Sequence, residues 1–270
     1  MFETQLSKEF PVGNSSVTDS DYIAEYATLC GSAARNQEIF KKFRSAKVMV
    51  EALDHVSIEQ GNAYISQILK YGPWSSQYTQ VIQKIDSLGK PRKFKFSRYG
   101  TFSPTLLRYL KVYLDLKNNF GEVKNLNIAE IGVGFGGQSS LICLLDNPTS
   151  YTFYDIPPTI ELARKFIGEL SLQGEFKFLD GRNPVQSMPD LVVSNYAFSE
   201  LSRGVQDNYL KNVILHSQRG YITWNSTSIY NSDAYSLADL VRLIPNSHII
   251  PEQPNTAVDN AIIIWGNKNQ

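Results

Sequence analysis

Cysteine is nearly absent: Cys30 and Cys143 are the only two in 270 residues. A chain of this length can bury a core without covalent staples, so a disulfide framework is excluded, and two distant thiols are expected to be buried and inert in a reducing compartment. Histidine is scarce as well, at three residues. No His or Cys spacing resembles a metal site, and only Glu200 and Asp207 lie near the fourth-strand end, so no metal ligands are assigned and a metal-dependent variant stays as an alternative. No apolar run approaches the roughly 18 residues needed to span a bilayer. The first residues, Met1 to Pro11, lack a basic segment followed by an apolar one, and the chain is therefore expected to be cytoplasmic, with no membrane span. Net charge is missing too: 26 cationic and 26 anionic side chains cancel. That excludes a surface built throughout for nucleic acid or anionic membrane.

What is present describes a globular protein. With 42% hydrophobic and 19% charged residues, the chain has the means to bury a core and lacks the signature of disorder. The zero charge hides an uneven distribution, −4 over residues 1–40, +7 over 41–100 and −3 over 101–270. Two clusters make the middle basic: Lys41, Lys42, Arg44 and Lys47, then Lys90, Arg92, Lys93, Lys95 and Arg98 interleaved with Phe94 and Phe96. The first reads as a solvated helix face. The second either serves solubility or meets an anionic partner, such as the phosphates of a nucleotide sugar or lipid-linked glycan, with nucleic acid a further alternative.

The hydrophobic pattern divides the chain near residue 97. Residues 1–20 are polar and read as a lead-in, while Ile23, Tyr26 and Ala27, then Ile39, Phe40 and Phe43, then Ile65, Ile68 and Leu69 repeat at spacings of three and four, as helices do. Residues 1–97 are thus expected to form a helical cap on the acceptor side, and 98–270 the main domain. Ser103 before Pro104 predicts a side-chain-capped helix start. Beyond it, strands are expected near 126–131, 151–155, 176–179, 190–195 and 219–224, with helices near 137–146, 159–171, 205–217 and 234–243. Such alternation predicts a parallel α/β sheet covered on both faces. The runs at 247–250 and 261–265 have no helix between them and predict a closing antiparallel hairpin.

The strongest local signal is Asn127-Ile-Ala-Glu130-Ile-Gly132-Val-Gly134-Phe-Gly136-Gly137. A strand running through glycines into a helix leaves backbone amides open to a closely approaching ligand. The glycines alone suit a nicotinamide enzyme equally. Glu130 favours S-adenosylmethionine, since a carboxylate beside the loop repels a pyrophosphate and suits an ammonium group, directly or through water. Asp155 ends the next strand, placed for ribose hydroxyls, and Asp180 ends the third, placed for an adenine amino group.

In that order, followed by Pro189-Asp-Leu-Val-Val-Ser-Asn-Tyr-Ala-Phe-Ser-Glu-Leu201 and a closing hairpin, the sequence resembles the class I S-adenosylmethionine-dependent methyltransferases over about residues 98–270. The stretch Ser194 to Leu201, Tyr221-Ile-Thr-Trp-Asn225 and the Phe102-Ser-Pro-Thr helix start are similar to those of bacterial sugar O-methyltransferases. The resemblance implies a Rossmann-like seven-stranded sheet with one antiparallel strand, S-adenosyl-L-methionine as cofactor, and a hydroxyl of a glycan or glycan precursor as acceptor, in polysaccharide biosynthesis. The fourth-strand segment lacks the Asp/Asn/Ser-Pro-Pro-aromatic motif of methylases acting on base amino groups.

The candidate cofactor residues are Tyr99, Ser103, Glu130, Gly132, Gly134, Gly136, Asp155, Ile156, Asp180, Gly181, Ser194 and Asn195. Tyr196, Trp224 and Asn225 are candidates for holding the acceptor. Methyl transfer to a hydroxyl benefits from a base or from a metal that acidifies it. Glu200 is the first candidate base, although the same carboxylate suits helix capping or a pair with Arg203, and His248 is the second. An NAD(P)-dependent oxidoreductase and a non-catalytic S-adenosylmethionine-binding protein remain as alternatives.

Overall fold

The computed structural model describes residues 19–226 and 233–266. The lead-in expected over residues 1–20 lies almost wholly outside them. Helices make up the first part: α1 (Asp19–Arg35), α2 (Gln37–Phe40), α3 (Lys47–Ala52), α4 (Ile58–Ile68) and α5 (Ser76–Ile85). Local chemistry sets their starts. Asn36 accepts from the amides of Glu38 and Ile39, and Ser57 with Gln60 forms a reciprocal capping box, satisfying N–H groups the helix itself cannot. None of the described helices is long and apolar enough to cross a membrane.

A short hairpin of β1 (Phe94–Phe96) and β2 (Gly100–Phe102) leads into α6 (Pro104–Phe120). The expected boundary at residue 97 falls inside this hairpin. Both sides of it share one hydrophobic core, in which Phe40, Phe43 and Met49 join Phe135 and Phe166.

The remaining elements alternate: β3 (Asn127–Ile131), α7 (Gly137–Asp146), β4 (Ser150–Asp155), α8 (Pro157–Glu169), β5 (Glu175–Asp180), β6 (Leu191–Asn195), α9 (Ala197–Glu200), α10 (Arg203–Asn212), β7 (Arg219–Trp224), α11 (Leu237–Leu243), β8 (His248–Pro251) and β9 (Ala261–Trp265). The seven strands order as β5-β4-β3-β6-β7-β9-β8, with β9 antiparallel to both its neighbours. This is the expected Rossmann-like sheet with its closing hairpin. Near-continuous apolar runs such as Ala261–Trp265, buried throughout, suit strands covered on both faces. The order reverses between β3 and β6, and in open α/β sheets ligands bind beyond the carboxyl ends of the strands at such a switch point.

That rule removes one candidate. Because β9 is antiparallel, β8 runs the same way as β7, and His248 pairs with Ile264, which itself pairs with Tyr221 near the start of β7. His248 therefore lies towards the amino end of the sheet. The ligand edge is marked instead by Trp224, Ala261 and Pro251, three residues along, roughly 10 Å away at a strand's rise.

A buried ion cluster joins the helical layer to the sheet domain. Arg44, assigned by charge counting to a solvated face, is fully buried. Its Nε and Nη2 donate to Asp54 at 2.8 and 3.1 Å, its Nη1 to Asp86 at 3.0 Å, and its Nη2 also to Ser103 Oγ at 3.0 Å. The guanidinium lies 4.7 Å from the centre of the Phe135 ring. Ser103, the expected side-chain cap and cofactor contact, has no capping bond. Its hydroxyl and amide both donate to Asp86, the buried carboxylate beside it. Removing the cation would strand those charges. Arg44→Met should lower stability by about 3–5 kcal/mol, the usual cost of breaking a buried ion pair on one side, as measured by urea denaturation.

Candidate functional site

The turn after β3 is built from backbone where side chains do not fit. Gly132 has φ +78°, and a Cβ there would meet Ala197 Cβ at 2.1 Å; Gly134 has φ +54°, and a Cβ would meet Leu53 Cδ1 at 2.7 Å. Both positions are strained for any L side chain; Gly132 is closed by Ala197, and at Gly134 the Leu53 side chain lies against the turn. Gly136 is the left-handed N-cap of α7. Its carbonyl accepts from the Ser139 and Ser140 hydroxyls.

Asp155, at the end of β4, faces this turn. One carboxylate oxygen accepts from Gly134 N at 3.0 Å, the other from Ile156 N at 2.7 Å. Burial pushes its pKa up to about 6, against the lowering effect of the Gly134, Ile156 and Val133 amides. Asp180 ends β5 alongside, and Gly181 N donates to the Asp155 carbonyl at 2.7 Å. A two-pronged pair with Arg182, at 2.6–3.1 Å, holds the Asp180 carboxylate below its ordinary pKa. Gly132, Gly134, Asp155, Ile156, Asp180 and Gly181 thus form one ribbon along the ends of β3, β4 and β5. The helical layer covers it: Leu53 rests on Gly134, and α1 lies along α8 with Tyr26 beside Asp155.

The other half of the edge is formed by β6 and β7. Ser194 is fully buried, donating to the Ile131 carbonyl and accepting from Phe198 N, which ties the fourth strand to the first. Asn195 donates to Gln138 Oε1 at 3.2 Å. Tyr196 takes a positive φ of 68°, which turns Ala197 against Gly132. Its ring lies under the Arg108 guanidinium, 5.4 Å to the centroid, and its hydroxyl donates to Glu252. Glu200 accepts from Asn225 Nδ2 at 2.8 Å. The surrounding protein raises its pKa while that amide opposes the rise.

Several candidates are used elsewhere. Glu130 is only 2% exposed and accepts from Tyr151 Oη at 2.6 Å. Strand alternation puts it on the sheet face of Ile128, where the Tyr151 hydroxyl reaches it. Trp224 is buried among Ile222, Leu240 and Ile263, and Tyr99, in the turn of the hairpin, packs tilted against Trp74 with ring centres 5.0 Å apart. Both thiols are buried, each pushed by burial up to about 12. Sequence reasoning missed Leu53, Tyr64, Arg108 and Glu252, since a charged residue inside an apolar helix such as α6 carries no motif. The second basic cluster does stand exposed: Lys90, Arg92, Lys93, Lys95 and Arg98 line the hairpin and its approach.

No protein-family model matches the sequence, and no curated protein is significantly similar to it. Solved structures resemble it remotely. Protein 1320 of Thermoplasma acidophilum is 14% identical with a TM-score of 0.44, the match covering 72% of this chain and 97% of that one. Mitomycin 7-O-methyltransferase MmcR is 12% identical with a TM-score of 0.44, covering 80% and 70%. The O-methyltransferase NcsB1 of neocarzinostatin biosynthesis, solved with S-adenosylmethionine and 2-hydroxy-5-methyl naphthoic acid, is 12% identical with a TM-score of 0.40, covering 60% and 57%. At such values the likeness carries no argument about activity, and the fold stands on its own strand order.

The buried Glu130 sets a pH dependence. Desolvation, partly offset by the Tyr151 hydroxyl, pushes its pKa up to about 8, against about 4.3 in an unfolded chain. Between those values the folded state holds a proton that the unfolded state has lost, so its contribution to stability falls as pH rises from about 4 to 8. Glu130→Gln keeps an acceptor for Tyr151 and removes the ionisation. The variant should gain about 2–4 kcal/mol over the parent on going from pH 5 to pH 8.5, read from denaturation midpoints at the two pH values.

Proposed function

We propose that the chain is an S-adenosylmethionine-dependent O-methyltransferase whose acceptor is a hydroxyl of a sugar or glycan precursor. The observation that carries the cofactor reading is the edge formed by β3, β4 and β5. A glycine turn closed to side chains lies there beside two acidic strand ends, Asp155 and Asp180, in a sheet that ends with an antiparallel strand. These residues fit an adenosine with its ribose hydroxyls and amino group facing carboxylates. The sugar acceptor is supported by the resemblance of residues 194–201 and 221–225 to sugar O-methyltransferases.

When bound, the cofactor supplies a methyl group on a sulfonium, already a strong electrophile. The chain's work is then alignment, exclusion of water and removal of one proton. In this reading Asp155 and Ile156 hold the ribose, Asp180 and Gly181 the adenine, and Gly132 and Asn195 the amino-acid end. Glu200, with its raised pKa and Asn225 fixing one oxygen, takes the proton of the acceptor hydroxyl. The cover of Leu53 and α1 over the turn keeps water from it.

The oxidoreductase alternative needs a pyrophosphate at the amino end of the first sheet helix. The close packing of Gly137, where a Cβ would meet the Tyr109 and Phe135 rings at 2.6–2.7 Å, suits either cofactor, so binding decides between them. Glu130, buried against Tyr151, no longer bears on that choice.

Calorimetry with S-adenosylhomocysteine and NAD side by side tests the cofactor. The homocysteine form is expected to bind and NAD not to; NAD binding alone would overturn the reading. Asp155→Ala should weaken S-adenosylhomocysteine at least about tenfold, the loss of a charged hydrogen-bond partner, and unchanged affinity would count against the site. Glu200→Gln should leave that affinity intact and slow labelled-methyl transfer to a panel of sugars and nucleotide sugars about 10²- to 10⁴-fold. An undiminished rate would remove Glu200 as the base.

A further inference from the structure

The two basic clusters of the sequence differ in the structure. In the first, Arg44 is buried in the ion cluster, while Lys41 pairs with Glu38 at 2.6 Å and Lys47 with Glu51 at 3.7 Å. In the second, Lys90, Arg92, Lys93, Lys95 and Arg98 are all exposed, and among the described residues none of them forms an ion pair. No Asp or Glu occurs between Asp86, which Arg44 holds, and Asp115, which Lys111 holds. Five unpaired cations thus stand on one short hairpin and its approach, where Phe96 and Phe102 anchor the strands in the core. Like charges set so close repel one another, and an anionic surface relieves that repulsion.

Apolar groups lie beside these cations. Trp74 packs against Tyr99 in the hairpin turn and stacks on Phe102 with ring centres 5.9 Å apart. Roughly 10 Å of chain before Trp74 comes the turn Leu69–Tyr71, in which Leu69 is 37% and Tyr71 41% exposed on either side of Lys70. Cations with exposed aliphatic and aromatic neighbours are what a membrane interface attracts. A single-stranded nucleic acid would instead stack its bases on open ring faces. Here Arg92 lies over Phe94, 4.6 Å to the centroid, and Arg98 over Tyr99 at 5.4 Å, so those rings already carry guanidinium. We propose that the β1–β2 hairpin, with the turn Leu69–Tyr71 beside it, docks the protein on an anionic lipid surface. The hairpin leads directly into α6, whose Thr105 and Arg108 reach the carbonyl of Leu53, the residue on Gly134, so docking brings the candidate site next to the membrane. The inference goes beyond the methyl-transfer reading and does not rest on it.

The test is co-sedimentation of the full chain with vesicles at low and at physiological salt. Binding is expected to vesicles of equal parts phosphatidylglycerol and phosphatidylcholine and not to phosphatidylcholine alone, and it should weaken as salt rises. The triple variant Lys90→Glu/Lys93→Glu/Lys95→Glu changes only exposed side chains, so it should keep the parent's urea midpoint. Its affinity should fall at least about a hundredfold, each cation at an anionic surface contributing about fivefold. Leu69→Ser, checked by the same midpoint, should bind about fivefold more weakly, the loss of its exposed part to an apolar phase. Lys41→Glu/Lys47→Glu, in the paired cluster, should bind as the parent does. No binding to the anionic vesicles, equal binding to phosphatidylcholine alone, unchanged affinity in the triple variant or in Leu69→Ser, an equal loss in Lys41→Glu/Lys47→Glu, or tighter binding of an RNA or duplex DNA oligonucleotide at the same salt would each overturn the proposal. Calorimetry with S-adenosylhomocysteine separates the two readings. Cofactor binding without vesicle binding removes only the docking surface, whereas vesicle binding without cofactor binding removes methyl transfer and leaves the docking surface in place.

Discussion

A guanidinium sealed from water has to be answered by carboxylates, and the geometry that answers Arg44 sets much of the rest. Asp54 comes from the loop after α3, Asp86 from the end of α5, and Ser103 from the residue before α6. Three segments far apart in the chain therefore converge on one side chain. The desolvation cost of such a cluster means it need not stabilise more than a packed apolar core would. Its consequence is placement: the start of α6 and the loop carrying Leu53 are held to the same point, directly over Phe135 in the glycine turn.

From that point the arrangement of the edge follows. Leu53 is the residue before Asp54, so the ion cluster also fixes where Leu53 lies, on Gly134. Its carbonyl takes bonds from Thr105 and Arg108 of α6. One short loop thus spans the glycine turn, the buried ion cluster and the start of α6. The helical layer is part of the site. It roofs the ribbon of Asp155 and Asp180, and its Tyr64 meets Tyr196 and Glu252 of the sheet domain around one small cavity.

The fold was largely legible because it rests on periodicity and order. Strands at 127–131, 150–155, 175–180, 191–195 and 219–224 lie within a residue or two of the expected spans, since parallel strands buried on both faces have short apolar runs with glycine or acidic ends. The helix expected at 205–217 breaks at Asn212 and passes into a tight turn, and the one expected from 234 begins at Leu237. Of the candidate site, the placement of the glycines and the two strand-end aspartates was legible, because close backbone approach and a carboxylate at a strand end are both local properties.

Where side chains point across elements was not legible. Glu130 has the right spacing from Gly132, yet its carboxylate accepts from the Tyr151 hydroxyl of β4, and that contact holds it in the core. His248 begins a strand, but which end of the sheet it marks depends on the antiparallel β9 beside it. Arg44 counts as surface charge until Asp54 and Asp86 are brought around it, and Arg108 is one more residue of a helix until the Leu53 carbonyl and the Tyr109 and Tyr196 rings are brought around it. The sequence by itself determined the alternation, the glycine turn and the acidic strand ends, because these depend on neighbours a few residues away. The tertiary structure decided which charges are buried, which are paired and which are left facing a cavity, because those follow from contacts between segments tens of residues apart.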